Sequence, residues 1–162
     1  MNLNKDFLDF IELLNKHNVE YMVVDGYAVG LHGHPRYTGD LDVWIKKSEE
    51  NIDKLFFTIK DFGGPLAHIE KAQLMKNATK QNPSPGISFG REPIRIEVIT
   101  TIDGVDFEDC FSRVLTKEIA GVPLRYIHYD DLKKNKLSTG RMQDKVDIEV
   151  LENKRKRKGI DE

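Results

Sequence analysis

The sequence predicts one α/β domain (α+β), in which a small mixed sheet is flanked by helices and followed by a helical C-terminal segment. Apolar residues recur at helical spacing in several segments, whereas other short apolar runs have the length and alternation of strands. Clusters of Gly, Pro, Asn and Asp separate these segments, and no repeat or linker divides them. Residues 1–153 are therefore expected to form the domain, and residues 154–162 a basic, frayed tail rather than an RNA-binding arm.

The N-terminal half is predicted to alternate helices with strands. Four apolar residues recur on one helical face before His17, namely Phe7, Phe10, Ile11 and Leu14. The elements that follow are a strand over 19–24, a turn at 25–26, a short buried helix over 27–31, a polar loop over 34–39 and a strand over 41–45. Ser48 is the predicted N-cap of a second amphipathic helix, which stops at residues 63–65.

The C-terminal half is predicted to contain short strands and less regular helices. In order, these are a helix over 69–76, a loop over 82–86, strands over 87–89 and 94–100, a turn at 103–104, a helix over 107–115 and a strand over 122–127. Pro123 favours an edge position for the last strand, because proline lacks the N–H that a central strand donates. Asp130 opens a helical region that is interrupted near Gly140 and then resumes to residue 153.

Composition and charge exclude several classes of protein. The 162 residues suffice for one core, and the formal net charge of −2 creates no global field toward nucleic acid or membrane. No stretch reaches the roughly 20 apolar residues of a membrane span, so no membrane partner is expected. Cys110 is the single cysteine, so no intrachain disulfide can form, and a cytoplasmic location is expected.

Asp40 and Asp42 are the first candidate site residues. Side chains at i and i+2 of a strand point to one face, so the two acids are expected to lie opposite Leu41 and Val43. Carboxylates this close repel each other unless a cation or hydrogen-bond donors lie between them. Magnesium binds carboxylate and phosphate oxygens, and two metal ions on such a pair would suit phosphoryl or nucleotidyl transfer. The alternative is a pair of solvent-facing acids on an edge strand.

Glu97 is the third candidate acid, and it lies within an otherwise apolar strand, where an unpaired carboxylate is costly. If this strand neighbours the strand of Asp40 and Asp42, at a spacing of about 4.8 Å, Glu97 completes a three-acid metal site. Alternatively, Glu97 pairs with Arg95, which shares its face of the strand.

Together these features resemble the nucleotidyltransferase superfamily that includes DNA polymerase beta, in particular its small bacterial single-domain members. The superfamily pattern is a hydrophobic residue, Gly, then Gly or Ser, a spacer, and Asp-hydrophobic-Asp/Glu-hydrophobic. Here it reads Val24-Asp25-Gly26, a spacer and Asp40-Leu41-Asp42-Val43, with Glu97 of IRIEVIT as the acid on a later strand. The C-terminal DDLKKNKLSTGRMQDKVDIEVLE is also similar to this group, so the resemblance spans nearly the whole chain.

The resemblance implies a nucleotidyltransferase-like fold and a magnesium-dependent enzyme that moves an NMP group from an NTP, such as ATP, to a hydroxyl. It implies that Asp40 and Asp42 hold two magnesium ions, and that Glu97 joins one of them and helps to activate the hydroxyl. Gly26 and Tyr27, at the start of the following helix, would cradle the triphosphate. The acceptor would be a small molecule, an RNA end or a protein side chain, and a protein partner is one candidate to supply it.

Two departures from the superfamily pattern leave a second function open. Asp25 stands where the family usually has its first glycine, and Glu97 stands where Asp is commoner. A carboxylate at position 25 would repel phosphate, strain the turn if its φ is positive, or contact the metal site. The second function is therefore a catalytically weak regulatory or antitoxin-like partner protein that keeps the fold.

Several further residues each have two interpretations. Arg36 precedes the acids and either contacts a phosphate or lies on the surface. Lys136 and Arg141 match basic positions of the group that would face the nucleotide. Arg141 and Asp144, three residues apart, equally fit a helix-surface ion pair, which is the favoured interpretation of Asp144. Trp44 is expected to pack in the core before serving any base-stacking role.

Overall fold

The computed structural model describes residues 2–91 and 93–159, and its six strands form one mixed sheet with helices on both faces. The strands are β1 (Tyr21–Val24), β2 (Asp40–Ile45), β3 (Gly86–Arg91), β4 (Ile94–Ile99), β5 (Leu115–Ile119) and β6 (Val122–Tyr126). The helices are α1 (Lys5–Lys16), α2 (Asp25–Leu31), α3 (Glu49–Phe62), α4 (Lys71–Met75), α5 (Phe107–Phe111), α6 (Tyr129–Thr139) and α7 (Met142–Arg157), with a short 3₁₀ helix at Leu66–His68. The predicted α/β class is confirmed. No helix in the described ranges combines the length and apolar composition needed to cross a membrane.

The strand that carries Asp40 and Asp42 lies inside the sheet. The strand order is β3-β4-β2-β1-β6-β5, in which β2 pairs antiparallel with β1 and parallel with β4. The junction between β1 and β6 is short, since its register joins Val23 to Tyr126 alone, and the N–H of Ile127 donates to the Val23 carbonyl at 3.1 Å. Because β2 has a neighbour on each side, its acids do not lie on an edge strand.

Each face of the sheet is covered by its own apolar cluster. Helices α1 and α3 cover the face on which Leu41 and Val43 are buried. On the opposite face Trp44 packs against Phe107 edge to face, with ring centroids 5.2 Å apart, beside Leu132 of α6. Trp44 is therefore a core residue, as the sequence predicted.

The two long N-terminal helices form where the sequence predicted; α1 ends before His17, and α3 both begins and ends at the predicted residues. Asn4 caps α1 by accepting a hydrogen bond from the N–H of Asp6, and the four predicted apolar residues of α1 are all buried. Ser48 caps α3 by accepting from the N–H of Asn51. Gly63 ends that helix with a φ of 83°, in the left-handed region that glycine adopts without a Cβ clash.

Two predictions for the C-terminal half are wrong. The helix predicted over 107–115 ends at Phe111, and residues 115–119 form β5, in which three exposed polar residues in succession hid the strand pattern. Pro123 lies in β6, which is flanked by β1 and β5 rather than at the sheet edge. The hairpin that joins β5 to β6 covers the outer side of Pro123, placing it opposite Glu118.

The last helix also continues beyond the predicted end of the domain. Residues 154–157, predicted to fray, are the final turn of α7. The Lys154 ammonium donates to the carbonyl of Gly33 at 2.5 Å, and the Arg155 guanidinium lies 3.9 Å from the centroid of the Tyr129 ring. These contacts hold the end of α7 against the body of the protein. Residues 160–162 of the predicted tail lie outside the described residues.

Replacing Asn51 with alanine tests how α3 is tied to the sheet. The buried Asn51 amide accepts from the N–H of Glu20 at 2.8 Å and donates to the carbonyls of Glu20 and Lys46 at 3.0 and 2.9 Å. The Glu20 N–H loses its partner, while the Glu20 and Lys46 carbonyls each lose one of two donors. We therefore expect Asn51→Ala to lower the free energy of unfolding by about 2 kcal/mol, measured by urea denaturation. The exposed Glu49, on the same turn, is the control, and Glu49→Ala should change it by about 0.5 kcal/mol or less. An equal loss of unfolding free energy in both variants would show that the Asn51 amide does not tie α3 to the sheet.

Candidate functional site

Two of the three candidate acids stand side by side on neighbouring strands. In the parallel pairing of β2 with β4, Asp42 is the direct partner of Glu97, and Asp40 is the partner of Arg95. The acids lie on the Trp44 face of β2, beyond the region where the helices cover it, because side chains alternate along the strand. The strands of Asp42 and Glu97 are therefore neighbours, as the three-acid site required.

The Asp42 carboxyl group is electrostatically strained. Burial, the negative charges of Asp25, Glu97 and Asp40, and a hydrogen bond from Asp42 to Glu97 together raise the pKa of Asp42 to about 8, with burial as the largest cause. A carboxyl with this pKa keeps its proton at neutral pH unless a cation replaces it. The pair of Asp42 and Glu97 is thus a place where a cation would relieve repulsion.

The carboxylates present suit a magnesium ion that the protein shares with water and a substrate phosphate, not one that protein groups enclose. Within residues 2–91 and 93–159, no three His, Cys, Asp or Glu side chains are grouped so that they could hold a metal ion. Asp42 and Glu97 offer hard carboxylate oxygens, and magnesium usually combines one or two carboxylates with water and substrate phosphate. Asp40 lies beside the pair and lines the same cavity.

Asp25 has an unusual backbone and two cationic partners. Its φ is 56°, in the left-handed region that costs a non-glycine residue about 1 kcal/mol. One carboxylate oxygen accepts from the Lys136 ammonium at 2.5 Å, and the other accepts from the Arg141 guanidinium at 3.5 Å. The positive φ that the sequence analysis considered for Asp25 is therefore observed, and the carboxylate is bound by cations.

Lys136 lies behind the site, enclosed by carboxylates. Its side chain is only 1% exposed, and its ammonium contacts Asp25, Asp144 at 2.7 Å and Asp147 at 3.5 Å. Burial alone lowers the pKa of Lys136, but the charges and hydrogen bonds of Asp25 and Asp144 outweigh burial and raise it above its usual value. Lys136 does not line either cavity described below, so it reaches the site through Asp25.

The predicted helix-surface pair of Arg141 and Asp144 exists, but Asp144 is not on the surface. Arg141 Nε donates to Asp144 at 2.7 Å, and the Asp144 side chain is 2% exposed. Burial alone raises the pKa of Asp144, whereas hydrogen bonds from Lys136, Thr139 and Arg141 hold it below its usual value. Asp144 is thus a fixed anion between α6 and α7, while Arg141 remains 61% exposed at the cavity wall.

Arg36 is anchored to the last helix. Its guanidinium makes two hydrogen bonds, each 2.9 Å long, to the fully buried carboxylate of Asp147, which also accepts from Gln143. Burial alone raises the pKa of Asp147, but the bonds from Arg36 and Gln143 lower it below its usual value. Arg36 also lines the cavity beside Asp40.

Gly26 allows the loop before β2 to approach α2. A Cβ at Gly26 would lie 2.6 Å from the Thr38 hydroxyl oxygen, a distance at which one of the two must move. Tyr27 packs edge to face on Phe7, and its hydroxyl donates to the Thr38 carbonyl at 3.4 Å. Burial raises the pKa of Tyr27, with smaller contributions from Tyr37 and Asp40. Tyr27 therefore faces the core and the loop, whereas Gly26 lines the cavity.

Two cavities of about 330 Å³ each meet at the acid pair. They share four lining residues, which are Asp25, Asp42, Glu97 and Arg141. The loop-side cavity is further lined by Gly26, Arg36, Thr38, Gly39, Asp40, Gln143 and Asp144. The helix-side cavity is further lined by Val24, Pro83, Ser84, Ile99, Ile102, Asp103, Asn135 and Thr139. The acid pair is thus accessible from both sides.

Sequence reasoning missed Asp147 and Thr38 as parts of the site. Asp144, Asp147, Ile148 and Leu151 are the buried residues of α7 and recur at i, i+3, i+4 and i+7. Two acids within a stripe of otherwise apolar residues indicate that both are buried and bound to cationic partners. Thr38 had no such signal, because its importance depends on a contact with Gly26 across the loop.

Comparisons with known proteins identify the fold. No protein-family model matches the sequence, and no curated protein is significantly similar to it. One similar solved structure is that of a candidate nucleotidyltransferase from Thermotoga maritima, with a TM-score of 0.62 and 15% identity over 92% of this chain and 91% of that chain. Another is an antigenic nucleotidyltransferase-like protein from Paracoccidioides brasiliensis, with a TM-score of 0.50 and 18% identity over 92% of this chain and 75% of that chain. The chain therefore has the nucleotidyltransferase fold, as the sequence resemblance implied.

The raised pKa of Asp42 predicts a pH-dependent stability that magnesium counteracts. Asp42 keeps its proton in the folded state up to about pH 8 but loses it near its ordinary pKa of 3.8 when unfolded. Its contribution is therefore complete below pH 3.8 and is lost as the pH rises toward 8, by on the order of 6 kcal/mol. Chemical denaturation with a chelator present should show this fall, and magnesium at high pH should offset it.

The variant Asp42→Asn should remove both the fall in stability and the response to magnesium. Asp109→Asn, at an exposed acid of α5, is the matched control and should keep both. The same pH slope in wild type and Asp42→Asn would show that Asp42 does not carry the shifted pKa.

Proposed function

We propose that this protein is a magnesium-dependent nucleotidyltransferase that moves an NMP group from an NTP to a hydroxyl acceptor. The observation that carries this proposal is the direct pairing of Asp42 with Glu97 at the junction of two cavities. The fold supports it, because the two similar solved structures are named as a candidate nucleotidyltransferase and a nucleotidyltransferase-like protein.

In this proposal the triphosphate binds in the loop-side cavity. Arg141 is exposed at the wall of that cavity and can donate to phosphate oxygens, while Arg36 is held at its rim by Asp147. Gly26 leaves the backbone of α2 accessible at the same place. Magnesium on Asp42 and Glu97, with Asp40 beside them, would neutralise these carboxylates and the phosphate charge.

The chemistry then follows from the position of the carboxylates. The acceptor hydroxyl loses its proton to a carboxylate of the pair, Glu97 or Asp42, and its oxygen forms a bond to the α-phosphorus of the NTP. The bond between the α-phosphorus and the oxygen that bridges to the β-phosphate breaks, and pyrophosphate leaves with that electron pair. The anchored side chains serve to orient the triphosphate, which is the main contribution that a protein makes to such transfers.

Isothermal titration with ATP, GTP, CTP and UTP tests this function directly. We expect at least one nucleotide to bind in the presence of magnesium, and binding to weaken strongly when magnesium is removed. Asp42→Asn should weaken magnesium-dependent binding by about tenfold or more, because it removes a metal ligand. Asp109 lines neither cavity, so Asp109→Asn should bind as wild type does. Failure of all four nucleotides to bind, with or without magnesium, would refute the proposal.

The second function, a catalytically weak partner protein, is favoured by the contacts of Asp25. Its carboxylate takes up the Lys136 ammonium and one nitrogen of the Arg141 guanidinium, where a phosphate would otherwise bind. In this role the protein would keep the fold and a residual nucleotide site, and would act through a protein partner.

Replacing Asp25 with asparagine separates the two functions. Asparagine keeps the size of the side chain and tolerates a positive φ, and Lys136 retains Asp144 and Asp147 as partners. If Asp25 blocks the site, Asp25→Asn should tighten magnesium–NTP binding by about fivefold, since Arg141 is released to phosphate. Asp25→Gly, which also removes the φ strain, should tighten it at least as much. Unchanged or weaker binding in both variants would contradict the second function and assign Asp25 to a working site.

A further inference from the structure

We propose that the base of the nucleotide binds outside the loop-side cavity, against Tyr37 and Met142, two exposed apolar side chains at the rim of that cavity. This assignment rests on the proposed nucleotidyl transfer and adds to it the residues that recognise the base. It follows from the polar lining of the cavity and from the places where the protein exposes large apolar side chains.

The loop-side cavity suits phosphates and not a base. Its volume of about 330 Å³ is at the lower end of small-molecule sites. Each of the described residues that line it is polar, charged or a glycine. A base has two largely apolar ring faces, and these walls offer no apolar side chain to cover them. The base therefore gains its apolar contacts only beyond the walls of the cavity.

Two large apolar side chains are exposed at its rim. Tyr37, in the loop before β2, is 82% exposed, and Met142, the first residue of α7, is 73% exposed. These are the highest values among the large apolar side chains in the part of the chain that the structure describes. Single exposed apolar residues are common on protein surfaces, but two of them on elements that wall one polar cavity point to a ligand. We call Tyr37 and Met142 the rim residues.

Tyr37 is placed at the cavity by its neighbours. The residues before and after it, Arg36 and Thr38, both line the cavity. The Tyr37 hydroxyl oxygen lies 3.7 Å from the position that a Cβ on Gly39 would occupy, so the ring folds back toward Gly39, another lining residue. Because Gly39 directly precedes Asp40, the ring lies beside the end of β2 that carries the acids. It is therefore close to the nucleoside of an NTP whose α-phosphate lies at those acids.

Met142 is placed at the same rim by the start of α7. It follows Arg141 and precedes Gln143, and both of these residues line the cavity. The unbranched thioether of methionine adapts its shape to a flat ring and makes favourable contacts with aromatic groups. Met142 thus offers the base a second apolar surface, on a different element from Tyr37.

The ion pair of Arg36 with Asp147 ties the two rim residues together. Two nitrogens of the Arg36 guanidinium donate to Asp147 of α7, and the third donates to the Tyr37 carbonyl at 3.3 Å. The backbone of Tyr37 is therefore held to the helix that Met142 begins, while both side chains remain exposed. Binding of a base against them orders two side chains and no backbone, which keeps its entropic cost low.

Contacts of this kind predict the class of nucleotide. Ring faces carry no hydrogen-bond pattern, so the rim residues accept every base, and the larger purine rings bury more apolar area against them. We therefore expect ATP and GTP to bind about threefold more tightly than CTP and UTP. A phosphate chain without a base, such as inorganic tripolyphosphate, uses the cavity but not the rim.

Titration calorimetry of the full chain with magnesium–ATP and with magnesium–tripolyphosphate tests the inference. Tyr37→Ala should weaken ATP binding about fivefold or more, because it removes a stacking surface, and should abolish the preference for purines. Met142→Ala should weaken ATP binding about threefold. Neither variant should change the binding of tripolyphosphate. Tyr37→Phe, which keeps the ring, should bind ATP as wild type does.

Phe57→Ala and Met75→Ala are the matched controls. Phe57 is 60% exposed and Met75 is 38% exposed, and neither lines either of the two cavities. Both variants should bind ATP as wild type does. Weakening by Phe57→Ala as large as that by Tyr37→Ala would show a general effect of removing exposed apolar side chains and would overturn the inference.

Comparison of the two ligands distinguishes this inference from the proposed function. Equal weakening of ATP and tripolyphosphate in Tyr37→Ala would overturn the inference, because the ring would then act on the phosphates or on the fold. Unchanged ATP binding in both rim variants would also overturn it and would leave nucleotidyl transfer in place. If no nucleotide binds to the wild-type protein, the proposed function is refuted, and the base assignment with it.

Discussion

The rest of the site depends on the ion pairs of the buried Lys136 ammonium. Moving such a charge out of water is costly, and only the surrounding carboxylates of Asp25, Asp144 and Asp147 make that position tolerable. These acids come from α2 and α7, while Lys136 belongs to α6, so one ammonium joins three helices. Asp147 also holds Arg36, and the loop before β2 is therefore positioned by the same network.

Asp25 connects this network of cations to the acid pair. It is bonded to Lys136 and Arg141 on one side, and its negative charge raises the pKa of Asp42 on the other. A glycine at this position would remove the strain of the positive φ, but Lys136 would lose one of its three carboxylate partners. The strained backbone of Asp25 is thus maintained by the ion pairs that its side chain makes.

Much of the sheet and its acids could be predicted from the sequence, because side-chain alternation depends only on local spacing. Asp40 and Asp42 share a face for that reason, and Glu97 was identified as an acid within an otherwise apolar strand, in agreement with the resemblance. The strand register that sets Asp42 directly against Glu97 is a long-range property, which no local pattern encodes.

The interior placement of Asp144 could not be predicted from its spacing to Arg141. A pair at i and i+3 looks the same on a surface helix as on a buried one, and the difference lies in Lys136, which belongs to another helix. The strand β5 was missed for a related reason, since its exposed residues pair with β6 through backbone bonds rather than through a buried face. In both cases a distant partner decides the outcome.

The separation along the chain between Asp25 and Lys136, 111 residues, has a consequence for how the protein is made. A chain leaving the ribosome exposes its N-terminal part first, so β1, β2 and β4 emerge before α6 and α7. Asp25 of the nascent chain would therefore be exposed before its cationic partners Lys136 and Arg141 have been synthesised. The site is then completed only after α6 and α7 have emerged, and its maturation coincides with the docking of α7.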